Sequence, residues 1–506
     1  MHRVSLFIEL VRTRPVAIFW AVALTQVAFW TLVPALIYAA PPGDLAEMLA
    51  MAHRTGLGNP YGPPLAYWLV EGAFRLGGMF AVYLLAQGCV LIILWSVFSL
   101  GRIVAGARHA ALAVLLMAGI AAFTVPTPEF SPALLAAALW ALILLHYWRA
   151  VGEGRRLYWL AIGFEAALLL LTAYSGLLLI GLLLLYALIS KRGREQFTWP
   201  EPYIGGAILM LVFYRHLIWI EQTEVLGSVN LAGLSGIAEN AWIWLGTLGF
   251  LVIGHSGLMV MVLLSRGFTL SPRGVAAEVE RAPIEPDARA FVYCFALLPA
   301  AAIGLAALVT GRAENFLAPA LVVITALAVI VLAPDRIRIV HQRLTQYTWA
   351  MLLLMPPFLV AAVVLLLPWT FAIDLRVAQP AAEMGRFFAE SFERRTGRPL
   401  AIVTGDSHLA ALVALNARSR PNVEFLATPE LSPWVTPQDI AAQGAVVVWP
   451  ATGTRGLPPA SIQQRFPGLV AEVPRAFERR FQGRLPLVRI GWGVIRPSGA
   501  PPAPAR

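Results

Sequence analysis

The chain has 506 residues, 59% of them hydrophobic and only 13% Asp, Glu, Lys or Arg, and its mean hydropathy is +0.72. A soluble domain carries about a quarter charged residues. Half that share excludes a soluble multidomain enzyme, so the length must be read as membrane spans plus whatever remains. The net charge of +10 is almost purely arginine: the 38 basic residues include a single lysine, Lys191. A cation that meets a phosphate is therefore an arginine unless Lys191 can reach it, although codon composition alone also gives such a bias.

Apolar runs predict membrane-crossing helices near 15–39, 78–99, 110–126, 132–148, 157–172, 175–190, 203–220, 241–264, 291–310, 315–333 and 348–371, about eleven in all. The first follows a basic start and exceeds a signal-peptide core, which reads as a retained signal anchor. Residues 157–172 and 175–190 are separated by almost nothing and form a tight helical hairpin. Arg3, Arg12 and Arg14 precede the first span. Further basic clusters at 102–108, 149–156, 191–194, 266–289 and 336–343 follow alternate spans. Counting every span puts all of them on one side, so the N-terminus is expected to be cytoplasmic and the C-terminus external.

Composition changes after Leu367-Pro368-Trp369. Residues 372–506 hold 16 arginines against 10 acids and no membrane-length apolar run. Residues 400–404 and 444–449 read as short buried strands and 381–395 has helical spacing, which predicts a small external α/β domain over 372–496. A Pro/Ala-rich, disordered tail over 497–506 follows. The membrane part is expected to be 1–371, with a first external loop at 40–77. Cys89 and Cys294 lie in apolar runs and say nothing of redox. No metal-ligand cluster, P-loop or dinucleotide motif is evident, so no cofactor or divalent ion is indicated, and nothing points to nucleic acid.

The first external loop carries the densest chemistry. Asp44 and Glu47 are spaced i, i+3 at a helix start, so both carboxylates can face one way. Asp44 equally suits a helix cap. Arg54 and Tyr61 follow, and Pro63-Pro64 imposes an extended entry to the next element, where Tyr67 and Trp68 fit an interfacial belt. Glu129, in the loop Thr127-Pro-Glu-Phe-Ser-Pro132, is either a solvated helix-start acid or a third site carboxylate. Tyr174 stands at the hairpin turn Thr172-Ala-Tyr-Ser-Gly176. Arg215 and His216, in Tyr214-Arg-His-Leu-Ile-Trp219, are costly in a span unless they face protein, water or an anion. Snorkelling and phosphate binding are both open to Arg215. Arg312, beside Glu314, is the other external cation at the membrane.

These residues together resemble a known family. Asp44…Glu47-Met-Leu-Ala, Gly58…Pro63-Pro64-Leu…Trp68, Thr127-Pro-Glu129-Phe, Thr172-Ala-Tyr174-Ser175 and His216-Leu-Ile-Trp219 are similar to bacterial glycosyltransferase family 39. That group includes the dolichyl-phosphate-mannose-protein mannosyltransferase-like and lipid A aminoarabinose transferase-like proteins. The tail motifs Arg395-Thr-Gly-Arg-Pro399, Gly405-Asp406, Leu431-Ser-Pro-Trp434 and Arg489-Ile-Gly-Trp492 extend the resemblance nearly end to end.

The resemblance implies a mostly α, polytopic GT-C bundle of about eleven transmembrane helices in the bacterial inner membrane, with a periplasmic C-terminal domain. It implies inverting transfer of a sugar from a polyprenyl-phosphate donor to a lipid, glycan or protein acceptor. Asp44 would then be the general base or an acceptor-orienting carboxylate, and Glu47 its support. Arg54, Tyr61, Glu129, Tyr174, Arg215, His216 and Arg312 would face the substrates. The chain departs from the family pattern at Gly62 and Ala173, where Lys or His is usual, and at Ser131-Pro132. Two other readings stay open: a catalytically degenerate member that binds lipid or supports assembly, and a lipid transporter. The ionisable residues favour one external face over the midplane, Glu165 excepted, which weighs against transport.

Overall fold

The computed structural model describes residues 5–124, 129–223, 237–266, 277–310, 323–428, 432–451 and 456–498. Among them, six helices are long and apolar enough to cross a membrane: Pro15–Ile37, Leu65–Ala105, Pro132–Val151, Glu201–Thr223, Pro286–Val309 and Gln342–Thr370. A seventh crossing is available if Glu239–Gly254 and Ser256–Ser265, bent by 47° where they meet, act as one broken span. The protein is a multi-pass membrane protein.

The helix pattern follows the apolar runs, but not every run makes a full crossing. Helices Tyr158–Leu170 and Gly176–Ile189 have 13 and 14 residues. At about 1.5 Å per residue each spans roughly 20 Å, short of a hydrocarbon core of about 30 Å. The run over 110–126 is divided between Ala107–Met117 and Ala121–Thr124. Of the run over 315–333, the helix Thr325–Leu332 is described, and residues 311–322 lie outside the described residues. Among the described residues the count is thus six or seven full-length spans plus shorter apolar helices, against the expected eleven or so. Leu65–Ala105 is itself two limbs, because Gly77 leaves helical geometry and Gly78 adopts φ +59, ψ −150. Glycine alone takes that conformation at little cost.

Contact patterns divide the chain into two compact units. The first comprises 1–32, 57–66 and 83–358. Its helices approach closely where side chains are absent: a Cβ on Gly163 would lie 2.0 Å from the Gly205 carbonyl oxygen, so two helix backbones touch there. An aromatic nest of Tyr147, Tyr186, Phe291 and Phe295 fills another contact. Strands β1 (Ala277–Glu280) and β2 (Arg336–Ile339) pair antiparallel, Ala277 opposite Ile339. Their apolar face packs on Ile8 of the amphipathic helix Leu6–Thr13.

The second unit comprises 33–56, 67–82 and 359–506. Its five-stranded sheet is built from β3 (Ile402–Gly405), β4 (Asn422–Phe425), β5 (Ala445–Pro450), β6 (Arg475–Phe477) and β7 (Val488–Ile495), in the order β4-β3-β5-β7-β6. β3 runs parallel to both neighbours and β7 is antiparallel to β5 and β6. The apolar runs that read as strands became β3 and β5, and the helical spacing over 381–395 became Ala381–Thr396. The core of this unit joins Phe388, Phe392, Leu412 and Val448 to Ala40 and Ala46, so the loop after the first span is structurally part of it. Residues 499–506 of the Pro/Ala-rich tail lie outside the described residues.

Candidate functional site

Each unit carries one cluster of the residues singled out above. In the second unit the helix Leu45–Ala52 buries Leu45, Ala46, Met48, Leu49 and Ala52. Backbone amides of Ala39 and Ala40 both donate to the Val377 carbonyl, at 2.8 and 3.0 Å, and pin the approach to that helix. Asp44 stands at the N-cap position but makes no side-chain cap bond. Its carboxylate is 93% exposed, 3.8 Å from the Arg376 guanidinium. The capping role that its position suggests is not the one it takes.

Glu47, three residues on, behaves differently. Its side chain is only 14% exposed, and Oε1 lies 3.0 Å from Nδ1 of His408 on the helix Ser407–Asn416. A carboxylate can only accept, which places a proton on Nδ1. Glu47 Oε2 and His408 Nε2 are both buried without a hydrogen-bond partner among the described residues. The two acids of the i, i+3 pair therefore do not act as one carboxylate cluster: one faces water and the other is engaged.

Arg54 is also engaged, its Nε donating to Asn422 Oδ1 at 2.5 Å. Beside it Glu71 accepts from Arg75 Nε at 2.8 Å and from Arg420 Nη2 at 2.9 Å, with His53 Nδ1 at 3.4 Å. Burial lowers the Arg420 pKa, against the pull of Glu71, yet a guanidinium starts so high that it stays charged. Its plane lies over Phe74 at 4.7 Å.

The first unit holds Tyr61, Glu129, Tyr174, Arg215 and His216. A tight turn is closed by reciprocal Asn59 and Gly62 backbone bonds of 3.4 and 3.2 Å, and the Tyr61 amide donates to Asn59 Oδ1 at 2.8 Å. Gly62 has φ +150, where a side chain would be strained. Burial pushes the Tyr61 hydroxyl above its ordinary range, so it remains a neutral donor. The turn is held by the helix Glu201–Thr223: His216 Nδ1 lies 2.6 Å from the Leu57 carbonyl, and the Trp219 ring fills the space over Gly58. The Leu57 oxygen can only accept, so in the neutral ring Nδ1 carries the proton and Nε2 accepts from the Tyr174 hydroxyl at 3.0 Å. Tyr174, His216 and the loop before Tyr61 thus form one hydrogen-bonded assembly.

Arg215 is exposed while His216 beside it is buried. Glu129 is partly buried and belongs to the first unit, Asp44 and Glu47 to the second. Arg312 and its neighbour Glu314 lie outside the described residues. Sequence reasoning missed His408, Glu71, Arg420 and Asn422. For His408 a signal existed, since Gly405-Asp406 marks a strand end and a helix cap just ahead of it; for the others no local pattern stands out. Among the described residues no three His, Cys, Asp or Glu side chains gather as a metal-ligand set.

Residues 61–219 match the family described as dolichyl-phosphate-mannose-protein mannosyltransferase. The matched stretch includes Tyr61, Glu129, Tyr174, Arg215 and His216. ArnT from Cupriavidus metallidurans, bound to undecaprenyl phosphate, superimposes with a TM-score of 0.58 at 14% identity, over 96% of this chain and 99% of that one. The same protein in its apo state gives 0.50 at 15% identity, over 95% and 97%. No curated protein is similar enough in sequence to count as a relative. At such identities the structural likeness is one of fold, and that fold is the GT-C architecture expected from the motifs.

Proposed function

We propose that this chain is a membrane glycosyltransferase that moves a sugar from a polyprenyl-phosphate carrier to a lipid, glycan or protein acceptor on the external face of a bacterial inner membrane. The observation that carries the reading is the fold likeness along nearly the whole chain to a structure holding undecaprenyl phosphate. The match of 61–219 to a mannosyltransferase family supports it independently. The arginine distribution supports an external C-terminal unit.

In this reaction the acceptor hydroxyl attacks the anomeric carbon, the bond from that carbon to the phosphate oxygen breaks, and polyprenyl phosphate leaves with the electron pair. The hydroxyl proton needs a base. Asp44 suits that role because its carboxylate is exposed, is not used as a cap, and has the Arg376 guanidinium 3.8 Å away. Glu47, fixed by His408, supports it from the first turn of the same helix. Charge growing on the phosphate needs a cation. Arg215 is the described candidate exposed at the turn-bearing helix, while Arg54 is partly committed to Asn422. Tyr61, Tyr174 and His216 supply polar groups for sugar or phosphate, Glu129 a further carboxylate, and Arg312 a second cation. No cofactor or divalent ion is required by this scheme.

The test is release of undecaprenyl phosphate from a panel of undecaprenyl-phosphate sugars by the purified protein. Turnover with at least one donor is expected, falling about 100- to 10,000-fold in Asp44→Asn, the usual range for a lost acid–base group. Equal turnover in the variant removes Asp44 as base. A second reading rests on Gly62 and Ala173, which offer no cation where the family pattern has Lys or His: a lipid-binding or assembly subunit without transfer. Donor binding without turnover across the panel would select it.

A further inference from the structure

The second unit gathers an excess of arginine around one acid. Glu71 is buried, and both of its oxygens are already bonded. Oε1 accepts from Arg75 Nε at 2.8 Å, with His53 Nδ1 at 3.4 Å, and Oε2 accepts from Arg420 Nη2 at 2.9 Å. Asn422, two residues after Arg420, accepts from Arg54 Nε at 2.5 Å, and Arg54 directly follows His53. One network of bonds thus ties three guanidinium groups to a single carboxylate. Three positive charges meet one negative charge, even with His53 neutral.

Like charges at this range oppose one another unless an anion answers them. Burial lowers the Arg420 pKa, Glu71 pulls it up, and the charge of Arg75 pushes it down again. Arg420 also holds φ +48, a conformation that costs a side chain energy and recurs at ligand sites. The donors that could meet an anion are open to solvent. Arg75 spends only Nε and its side chain is 66% exposed; Arg54 is exposed and also spends only Nε. The terminal nitrogens of both forks have no partner among the described residues. A free guanidinium fork matches the spacing of phosphate oxygens.

Helix length places the cluster at a membrane surface. Leu65–Ala105 has 41 residues, about 60 Å, twice a hydrocarbon core of about 30 Å. Its break at Gly77 and Gly78 leaves residues 78–105, about 40 Å, for the crossing. Glu71 and Arg75 stand in the limb before the break, outside the hydrocarbon where charge is costly. Arg75 is next to Leu76, 89% exposed, and shares its limb with Trp68, 40% exposed. Arginine beside an exposed leucine and indole is the pattern of the headgroup layer, where lipid phosphates lie.

We propose that Arg54, Arg75 and Arg420 form a binding site for a phosphate monoester, carried by a lipid headgroup or free at the membrane surface. Its nearly double negative charge at neutral pH answers the two uncompensated cations. Arg54 and Arg75 supply the exposed forks, and Arg420, held by Glu71 and Phe74, supplies charge from its partly buried guanidinium. The site stands whether or not the chain transfers a sugar.

Two probes test this on the full-length protein in mild detergent. Inorganic phosphate is titrated calorimetrically at constant ionic strength, and dioleoyl phosphatidic acid or dioleoyl phosphatidylcholine is loaded for native mass spectrometry. The wild type is expected to bind one phosphate, and Arg75→Gln and Arg54→Gln each to weaken binding about tenfold, the loss of one charge-assisted contact. Both side chains are exposed, so both variants should fold. Arg386→Gln, which removes an exposed arginine of Ala381–Thr396, should leave binding unchanged. Retention of phosphatidic acid about tenfold over phosphatidylcholine, weakened by the same two variants, assigns the phosphate to a lipid. Phosphate binding without that preference assigns a free ester. No binding of either phosphate probe by the wild type, binding unchanged in both variants, or an equal loss in Arg386→Gln overturns the proposal.

Discussion

Glu47 Oε1 meets His408 Nδ1 at 3.0 Å across 361 residues of sequence. The contact ties the helix after the first span to the helix that follows β3, inside one compact unit. Both side chains are nearly buried, and each keeps a second polar atom unpartnered among the described residues. Removing one member strands the other in a poorly solvated place, at about 1–3 kcal/mol. The single variants Glu47→Ala and His408→Ala should each destabilise the protein by about that much. The double variant should cost clearly less than their sum, by a coupling of about 0.5–3 kcal/mol. Chemical denaturation of the four proteins checks this, and additive losses would show that the pair does not interact energetically.

Gly58 and Trp219 form a second such lock, in the first unit. A Cβ at position 58 would lie 2.6 Å from the indole, a separation that real structures do not tolerate. Gly58→Ala must therefore displace Trp219 or the turn that carries Tyr61, at about 1–3 kcal/mol. Trp219→Ala removes the obstacle. Adding it to Gly58→Ala should recover part of the loss in thermal melting, and a double variant worse than the sum of the two would refute the steric account.

Much of this architecture was legible because apolar periodicity and membrane thickness leave few choices. The run over 132–148 became Pro132–Val151, and 400–404 became β3 with little adjustment. Span counting is less secure where hydropathy cannot see helix length. The hairpin at 157–190 is apolar throughout, yet its helices are only 13 and 14 residues long. The site was half legible for a related reason. Asp44, Glu47, Tyr174 and His216 stand out locally, by charge in a loop or by polarity in a span. His408, Arg420 and Asn422 act through contacts hundreds of residues away, and nothing in their immediate sequence announces a partner. Local spacing also misled: i, i+3 puts two carboxylates near one face, but helix packing decides which of them is covered.

Arg420 combines an ion pair with an unusual backbone. Its φ is +48, in the left-handed region that most side chains avoid. Asn tolerates that conformation better than Ala. Arg420→Asn and Arg420→Ala both lose the bond to Glu71 and the packing on Phe74. Arg420→Asn should nevertheless be the more stable by about 1 kcal/mol, the cost of holding a non-glycine, non-Asn residue there. Melting curves of the two variants give the comparison, and equal stability would mean that the backbone relaxes without cost.

Asp44 and Glu47 invite opposite expectations although three residues separate them. Asp44 is 93% exposed, makes no cap bond and faces Arg376 at 3.8 Å, so its ion pair is screened by solvent. Asp44→Asn should leave stability within about 0.5 kcal/mol of wild type, as surface changes usually do. If Asp44 is the base, the same change should cut transfer by about two to four orders of magnitude. Glu47→Gln reverses the balance. It keeps the shape but exchanges a charge-assisted contact to His408 for a neutral one, so stability should fall by about 1 kcal/mol or more. Transfer should fall less than in Asp44→Asn, because in the proposed scheme Asp44 takes the proton and Glu47 only supports it. Denaturation and donor turnover measured side by side separate the two roles. A stable, inactive Glu47→Gln beside an active Asp44→Asn would assign the base to Glu47 and make the buried pair with His408 the reacting centre.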